Sequence, residues 1–163
     1  MPEINLHGKT KALIFDCDGT LVDSMPVHTE AWKIAITANG GKFDFDFFDS
    51  VKGMKSGDII VLYNETFGTD LIPSEVIKIK HKIFKEKLYL IQPIEPVVKV
   101  ARDNYKKMPM AVVSGGSKKN VIAELEHTGI IDLFDLILTA DDDFKPKPAP
   151  DLFLQAAKVL NIN

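Results

Sequence analysis

The sequence predicts an α/β protein with a parallel, Rossmann-like sheet, helices on both of its faces, and a small inserted all-helical cap. Short apolar runs stopped by turn residues occur at 11–15, 108–113 and 133–140, as is typical of strands buried on both faces. Segments with helical spacing separate these runs. The alternation indicates a parallel sheet, and the long helical block after the first run indicates an insertion.

Helix start and stop signals support each helical segment. The first helix is expected over 26–39, because proline suits its first turn and Gly40-Gly41 suits its end. Ser56 and Ser74 are predicted N-caps of the next two helices. A fourth amphipathic helix is expected to end at Gly129, and the final helix lies in "APDLFLQAAKVLNIN". We therefore predict a core of 1–23 and 93–163 and a helical cap of 24–92.

Composition limits the classes of protein. The chain has 163 residues, 45% of them hydrophobic, which is enough for one core with an inserted subdomain. Its net charge is −3 and its lysines are scattered, so we expect no binding to nucleic acid or to a membrane surface. No apolar stretch approaches the ~20 residues of a membrane span. With a single cysteine and no secretory signal pattern, a cytoplasmic location is predicted, with a monomer favoured.

Two aspartates follow the first strand in "KALIFDCDGTLVDS". Asp16 and Asp18 at a strand end would repel each other and lose hydration there. A neighbouring Mg²⁺ would remove the repulsion and attract a phosphate, so that one carboxylate could attack phosphorus while the other moves protons. The alternative, that aspartates here only shape a turn, stays open. Ligands of such sheets bind beyond the carboxyl ends of the strands, where Ser114 and the loop 140–150 are also expected.

Three segments resemble the motifs of a known family. "DCDGT", "VVSGGS" and "KPKPAPD" are similar to the first three motifs of the haloacid dehalogenase superfamily of phosphohydrolases. The resemblance covers essentially the whole chain. It is strongest to the sugar-phosphate branch with a small helical cap, which includes beta-phosphoglucomutase and fructose-1-phosphate phosphatase.

The resemblance implies roles for the motif residues. Asp16 would be the nucleophile and Asp18 the acid/base, and Asp16 with the backbone carbonyl of Asp18 would hold Mg²⁺. Ser114 would hydrogen-bond the phosphoryl oxygens with the N–H groups of Gly115 and Gly116, although a Ser-Gly turn is often only structural.

Lys147 would neutralise charge on the nucleophile and on the transferring phosphoryl group, with Lys145 the less favoured candidate. A lone loop lysine is more often solvated. Cys17, between the two acids, is expected to be a core residue that points away from them.

Cap residues are candidates for substrate contacts. His28 and Trp32, four apart on the first cap helix, could face the site, although a histidine packed at the hinge is an equal alternative. Lys52, Gly53 and Lys55 form a predicted turn that could hold the non-reacting end of a substrate.

The resembling family has a fourth motif, an acidic pair on a strand after the last helix here. The sequence ends at "VLNIN", so we expect a fragment, or else a natural truncation. The predicted function is a Mg²⁺-dependent phosphatase of small phosphorylated metabolites, most simply sugar phosphates, acting through an aspartyl phosphate. The alternatives are a beta-phosphoglucomutase-type mutase and a non-catalytic remnant that binds phosphate esters or a partner protein.

Overall fold

The structure, a computed structural model, describes residues 4, 6–145 and 147–162. Contacts divide the chain into two compact units, one of Met1–Ser24 with Ile91–Asn163 and the other of Met25–Leu90. The second unit is therefore inserted in the sequence of the first. Its bounds lie one and two residues inside the predicted cap of 24–92. That it acts as a cap stays a prediction.

Strands and helices alternate in the first unit, and helices make up the second. In chain order the elements are β1 (Leu13–Phe15), α1 (Met25–Ala38), α2 (Phe45–Ser50), α3 (Ser56–Phe67), α4 (Pro73–Glu86), a 3₁₀ turn (Leu88–Leu90), α5 (Glu95–Asn104), β2 (Met110–Val113), α6 (Lys118–His127), a second 3₁₀ turn (Ile131–Leu133), β3 (Leu136–Leu138) and α7 (Asp151–Val159).

The described strands form one parallel sheet in the order β1-β2-β3. Ile14 pairs with Ala111, and Val112 pairs with Ile137. Helices α5, α6 and α7 follow the predicted alternation along the chain. The predicted α/β class is therefore confirmed.

Both faces of β2 are buried. Ala111 and Val113 pack with Leu152 and Ala156 of α7 on one face. Met110, at 1% exposure, and Val112, at 0%, belong to the opposite face of the strand. The central strand therefore lies between two apolar layers, which explains its unbroken run of apolar residues.

The third strand is shorter than predicted. The sequence places a strand over 133–140, whereas residues 131–133 form a 3₁₀ turn and β3 begins at Leu136. The backbone N–H of Asp135 donates to the Met110 carbonyl, and its carboxylate accepts the Met110 N–H at 2.8 Å. At this end of the sheet a side-chain carboxylate therefore accepts the backbone N–H that a backbone carbonyl would accept within a strand ladder.

Two predicted helix caps are wrong. Ser56 is the first residue of α3 rather than its N-cap, and Ser74 is the second residue of α4. The N-caps are Lys55 and Ile72, and neither makes a side-chain capping bond. Pro73 accounts for the start of α4, because its fixed φ suits the first helical position.

The helical unit has its own apolar core, formed mainly by α1, α2 and α3 with part of α4. Trp32 and Ile36 of α1 contribute to it together with Phe48 and Tyr63. The chain turns after α1 where Gly40 has φ +84°, as the sequence predicts. A Cβ at Gly41 would lie 2.8 Å from Ile36 Cγ2, so only glycine fits against this core. Within the described residues, no helix is both long enough and apolar enough to cross a membrane.

Candidate active site

Three segments of the first unit meet beyond the carboxyl ends of the strands. Asp16 follows β1, Ser114 follows β2 and Thr139 follows β3. The Ser114 N–H donates to the Leu138 carbonyl at 2.9 Å, so the ladder continues one residue past β2. Because the strands are parallel, the structure brings Asp16, Asp18 and Ser114 to one edge, where the sequence places them.

The aspartate loop is a tight turn built around the backbone of Cys17. The Cys17 carbonyl accepts the N–H groups of Thr20, Leu21 and Val22 at 2.9–3.2 Å. Gly19 has φ +71°, in the left-handed region that favours glycine. This turn ends the strand at Phe15 and determines how the two aspartates are presented.

Asp18 is held by two buried serines. Its Oδ1 accepts a hydrogen bond from Ser24 Oγ at 2.6 Å, and its Oδ2 accepts one from Ser114 Oγ at 3.2 Å. Both serines are 0% exposed. Sequence reasoning assigned Ser114 to the site but missed Ser24. Its only signal was a serine at the end of "DGTLVDS", where the chain leaves the loop.

Lys147 contacts the other aspartate. Its Nζ donates to Asp16 Oδ1 at 2.8 Å, and its side chain is only 19% exposed. The ammonium also lies 5.3 Å from the centre of the Phe153 ring, within the range of a cation–π contact. Lys145 is exposed. Of the two lysines named from the sequence, the structure brings Lys147 to the aspartates.

Asp16 has its two oxygens in different situations. Oδ1 accepts both the Lys147 ammonium and the N–H of Cys17, each at 2.8 Å. Within the described part of the chain no hydrogen bond reaches Oδ2, and 43% of the side chain is exposed. One oxygen therefore orients the carboxylate while the other is open to a ligand.

The Ser-Gly-Gly loop is closely packed on Asp18. Gly116 donates its N–H to Ser114 Oγ at 2.9 Å, so this N–H already has an acceptor. A Cβ at Gly116 would lie 3.2 Å from Ser114 Oγ and 3.4 Å from Asp18 Oδ2. Gly115 is partly exposed. The predicted phosphate contact of the Gly116 N–H would require it to leave the serine.

Two carboxylates of the acidic run after β3 accept hydrogen bonds from backbone N–H groups. Asp141 Oδ2 accepts the N–H of Lys118, the first residue of α6, at 2.8 Å, and Asp142 Oδ2 accepts the N–H of Thr139 at 2.7 Å. An acid at a helix N-terminus is stabilising there. These carboxylates therefore hold the loop to α6 and β3.

Cys17 is a core residue, as predicted, but the prediction that it points away from both acids is wrong. It is 0% exposed, and its thiol donates to Glu124 Oε2 at 3.4 Å. Ligand atoms of Cys17, Asp18 and Glu124 lie within 4.8 Å of one another. The reason is that residue 17 lies in a turn, where the alternation of an extended strand does not apply. Burial, followed by the charges of Asp18 and Glu124, raises the pKa of the thiol well above its ordinary value.

The candidate cap residues lie in the helical unit. His28 stacks on Phe84 with ring centres 4.5 Å apart, and Trp32, at 8% exposure, belongs to the apolar core. Lys80, which sequence reasoning missed, is 5% exposed with its Nζ 5.3 Å from the centre of the Trp32 ring. These contacts give His28 and Trp32 packing roles within their own unit.

The predicted turn after α2 is present. Lys52 and Gly53 lie in it, with Gly53 at φ +83°, and Lys55 is the N-cap of α3. The Lys52 ammonium pairs with Asp49 on the preceding helix.

The oxygen ligands around Asp16 fit a hard cation. Asp16 Oδ2 accepts no hydrogen bond from the described residues, the Asp16 side chain is partly exposed, and carboxylate and carbonyl oxygens are what Mg²⁺ prefers. The buried group of Cys17, Asp18 and Glu124 fits less well, because a thiol is a soft ligand. Asp16 belongs to no group of three such ligands within the described residues. Water and substrate oxygens would have to complete the shell of a cation there.

Comparison with known proteins identifies the family. The profile of the haloacid dehalogenase-like hydrolases matches residues 13–163. Fructose-1-phosphate phosphatase of Escherichia coli is 30% identical over 158 residues, covering 96% of this chain and 84% of that protein. Beta-phosphoglucomutase of Bacillus subtilis is 28% identical over 160 residues, covering 94% and 71%. The chain belongs to the haloacid dehalogenase-like hydrolases, which confirms the resemblance seen in its motifs, and it is an enzyme of hydrolase type.

A solved structure has the same fold. The crystal structure of a hydrolase from Pseudomonas syringae superposes with a TM-score of 0.82 at 24% identity, covering 94% of this chain and 72% of that one.

Proposed function

We propose that the chain is a Mg²⁺-dependent phosphatase of small phosphorylated metabolites, with sugar phosphates as the substrate class. The observation that carries the proposal is the contact of Lys147 with Asp16, next to an Asp18 held by Ser24 and Ser114. A carboxylate beside a cation, with a second carboxylate two residues away, suits nucleophilic attack followed by proton transfer. The relatives, a fructose-1-phosphate phosphatase and a beta-phosphoglucomutase, support sugar phosphates as substrates.

In the first step, an oxygen of Asp16 attacks phosphorus. A P–O bond forms to Asp16 and the P–O bond to the alcohol breaks. The leaving oxygen takes a proton from Asp18, whose carboxyl is kept in place by its two serines. Asp16 Oδ2 is suited to the attack, because Oδ1 is held by Lys147 and by the Cys17 N–H.

In the second step, water attacks the phosphorus of the aspartyl phosphate. Asp18, now a carboxylate, takes the proton from the water, and inorganic phosphate leaves as Asp16 is restored. Lys147 remains beside the reacting group throughout, so its positive charge offsets the negative charge that the phosphoryl group brings. Ser114 would contact the phosphoryl oxygens, for which its hydroxyl would have to leave Asp18.

The Asp16 carboxylate and the backbone carbonyl of Asp18 would hold Mg²⁺. The cation would supply positive charge that screens the two carboxylates and the phosphate from one another. We also propose contacts to the rest of the substrate from the helical unit. They would come from His28 and Trp32 and from the turn with Lys52, Gly53 and Lys55.

The test is release of inorganic phosphate from fructose 1-phosphate, glucose 1-phosphate and a generic aryl phosphate. Asp16→Asn should abolish it while leaving the fold intact, because it removes the nucleophile but keeps the shape. Asp23→Asn is the matched control, since Asp23 is an exposed acid on the same segment.

Each other outcome points to a different function. Asp16→Asn with most of the wild-type activity would contradict the covalent mechanism. An isomeric sugar phosphate without net phosphate release would indicate a mutase. Binding of phosphate esters without any turnover would indicate a non-catalytic protein.

A further inference from the structure

Glu124 is a carboxylic side chain at a fully buried position, where an apolar side chain is usual. It lies on the inner face of α6 beside Leu125 and one turn from Val121, and all three residues are 0% exposed. Burying a carboxyl group is costly unless it gains hydrogen bonds. The thiol of Cys17 provides one, at 3.4 Å from Oε2.

The partner of Glu124 is the residue that organises the aspartate loop. The Cys17 N–H donates to Asp16 Oδ1, and its carbonyl accepts three N–H groups of the loop. A side-chain contact that fixes Cys17 therefore also fixes the backbone that presents Asp16 and Asp18.

The helix that bears Glu124 also follows the serine loop of the site. Helix α6 begins at Lys118, directly after the Ser114–Gly116 loop that packs on Asp18. The contact between Cys17 and Glu124 thus joins α6 to the aspartate loop, and the contact between Ser114 and Asp18 joins the loop that precedes α6 to the aspartate loop. Small errors in the separation of such groups are costly in rate.

We propose that Glu124 is a positioning residue, which acts through the Cys17 thiol to set the aspartate loop against the Ser114 loop. This inference rests on the proposed phosphatase function. It differs from a role in stability, because a buried carboxyl group is costly and a buried thiol left without its acceptor packs like a small apolar group. An apolar variant should therefore keep the fold and lose rate.

The experiment compares Glu124→Met and Cys17→Ala with their double variant. Each single change should lower kcat for a generic phosphate ester by about tenfold to a hundredfold, the range found for residues that orient the ligands of metal sites, with KM within about twofold. The double variant should be no slower than the slower single variant, because both changes remove one contact. Glu124→Gln, which keeps an acceptor, should recover most of the rate. The exposed Glu126 of the same helix supplies the control, Glu126→Gln, with wild-type rate.

Thermal unfolding and amide hydrogen exchange complete the test. The melting temperature of Glu124→Met should equal or exceed that of the wild type, while the amides of Thr20, Leu21 and Val22 lose protection. Wild-type kcat in Glu124→Met and Cys17→Ala, or a loss of rate that follows a loss of folded protein, would overturn the proposal. Should the wild type show no turnover, the proposed function fails, and unchanged amide protection in Glu124→Met would separately overturn the positioning role.

Discussion

Removing the ammonium of Lys147 is the sharpest perturbation of this site. Hydrogen bonds to charged groups contribute about 1.5–3 kcal/mol, whereas fully exposed ion pairs contribute about 0–1 kcal/mol. The Lys147 and Asp16 side chains are 19% and 43% exposed, between these limits. We take about 2 kcal/mol for the contribution of the Lys147 ammonium to stabilising the transition state. This corresponds to roughly a 30-fold loss in kcat/KM for Lys147→Ala.

The loss should be shared between kcat and KM, because in the proposed mechanism the lysine would lie beside the phosphate both before and during its transfer. Steady-state hydrolysis of a phosphate ester measures both constants, and circular dichroism checks that the variant is folded. Lys145→Ala is the matched control: it removes an exposed lysine of the same loop, and its rate should stay within about twofold of the wild type. A larger loss of kcat/KM in Lys145→Ala than in Lys147→Ala would show that the contact between Lys147 and Asp16 is not the lysine contact on which hydrolysis depends.

Four further outcomes follow from the site. The Cys17 thiol should not react with an aromatic disulfide reagent until the protein is unfolded, because burial raises its pKa. For the same reason the unfolding free energy should fall by about 1.4 kcal/mol per pH unit above the ordinary thiol pKa, relative to Cys17→Ala, since only the unfolded chain then loses the proton. Gly116→Ala should weaken binding of inorganic phosphate about tenfold, as its Cβ would crowd Ser114 Oγ at 3.2 Å, whereas Gly57→Ala, with open space around it, should not. A chelator should stop hydrolysis and added Mg²⁺ should restore it; undiminished hydrolysis in the chelator would contradict the metal requirement.

The order of strands and helices could be predicted from local patterns. Apolar runs and helical spacing are properties of neighbouring residues, and glycine stops such as Gly40 depend on backbone sterics alone. The limits of β3 could not be predicted, because they depend on Asp135 bonding to Met110 on another strand. Likewise Ser56 and Ser74 have side chains that can cap a helix, but α3 begins at Ser56 and α4 begins at Pro73, so neither serine occupies the N-cap position.

The sequence identifies the family through three short motifs and predicts the order of the elements that carry them. Parallel strands must end at one edge, so it also determined that Asp16, Asp18 and Ser114 would meet. Which atoms touch depends on the folded arrangement of distant segments: Ser24 holds Asp18, Lys147 rather than Lys145 contacts Asp16, and Cys17 turns toward Glu124. The last contact joins residues 107 positions apart. Side-chain direction in a turn follows from the packing of distant segments, and no local spacing in a sequence records it.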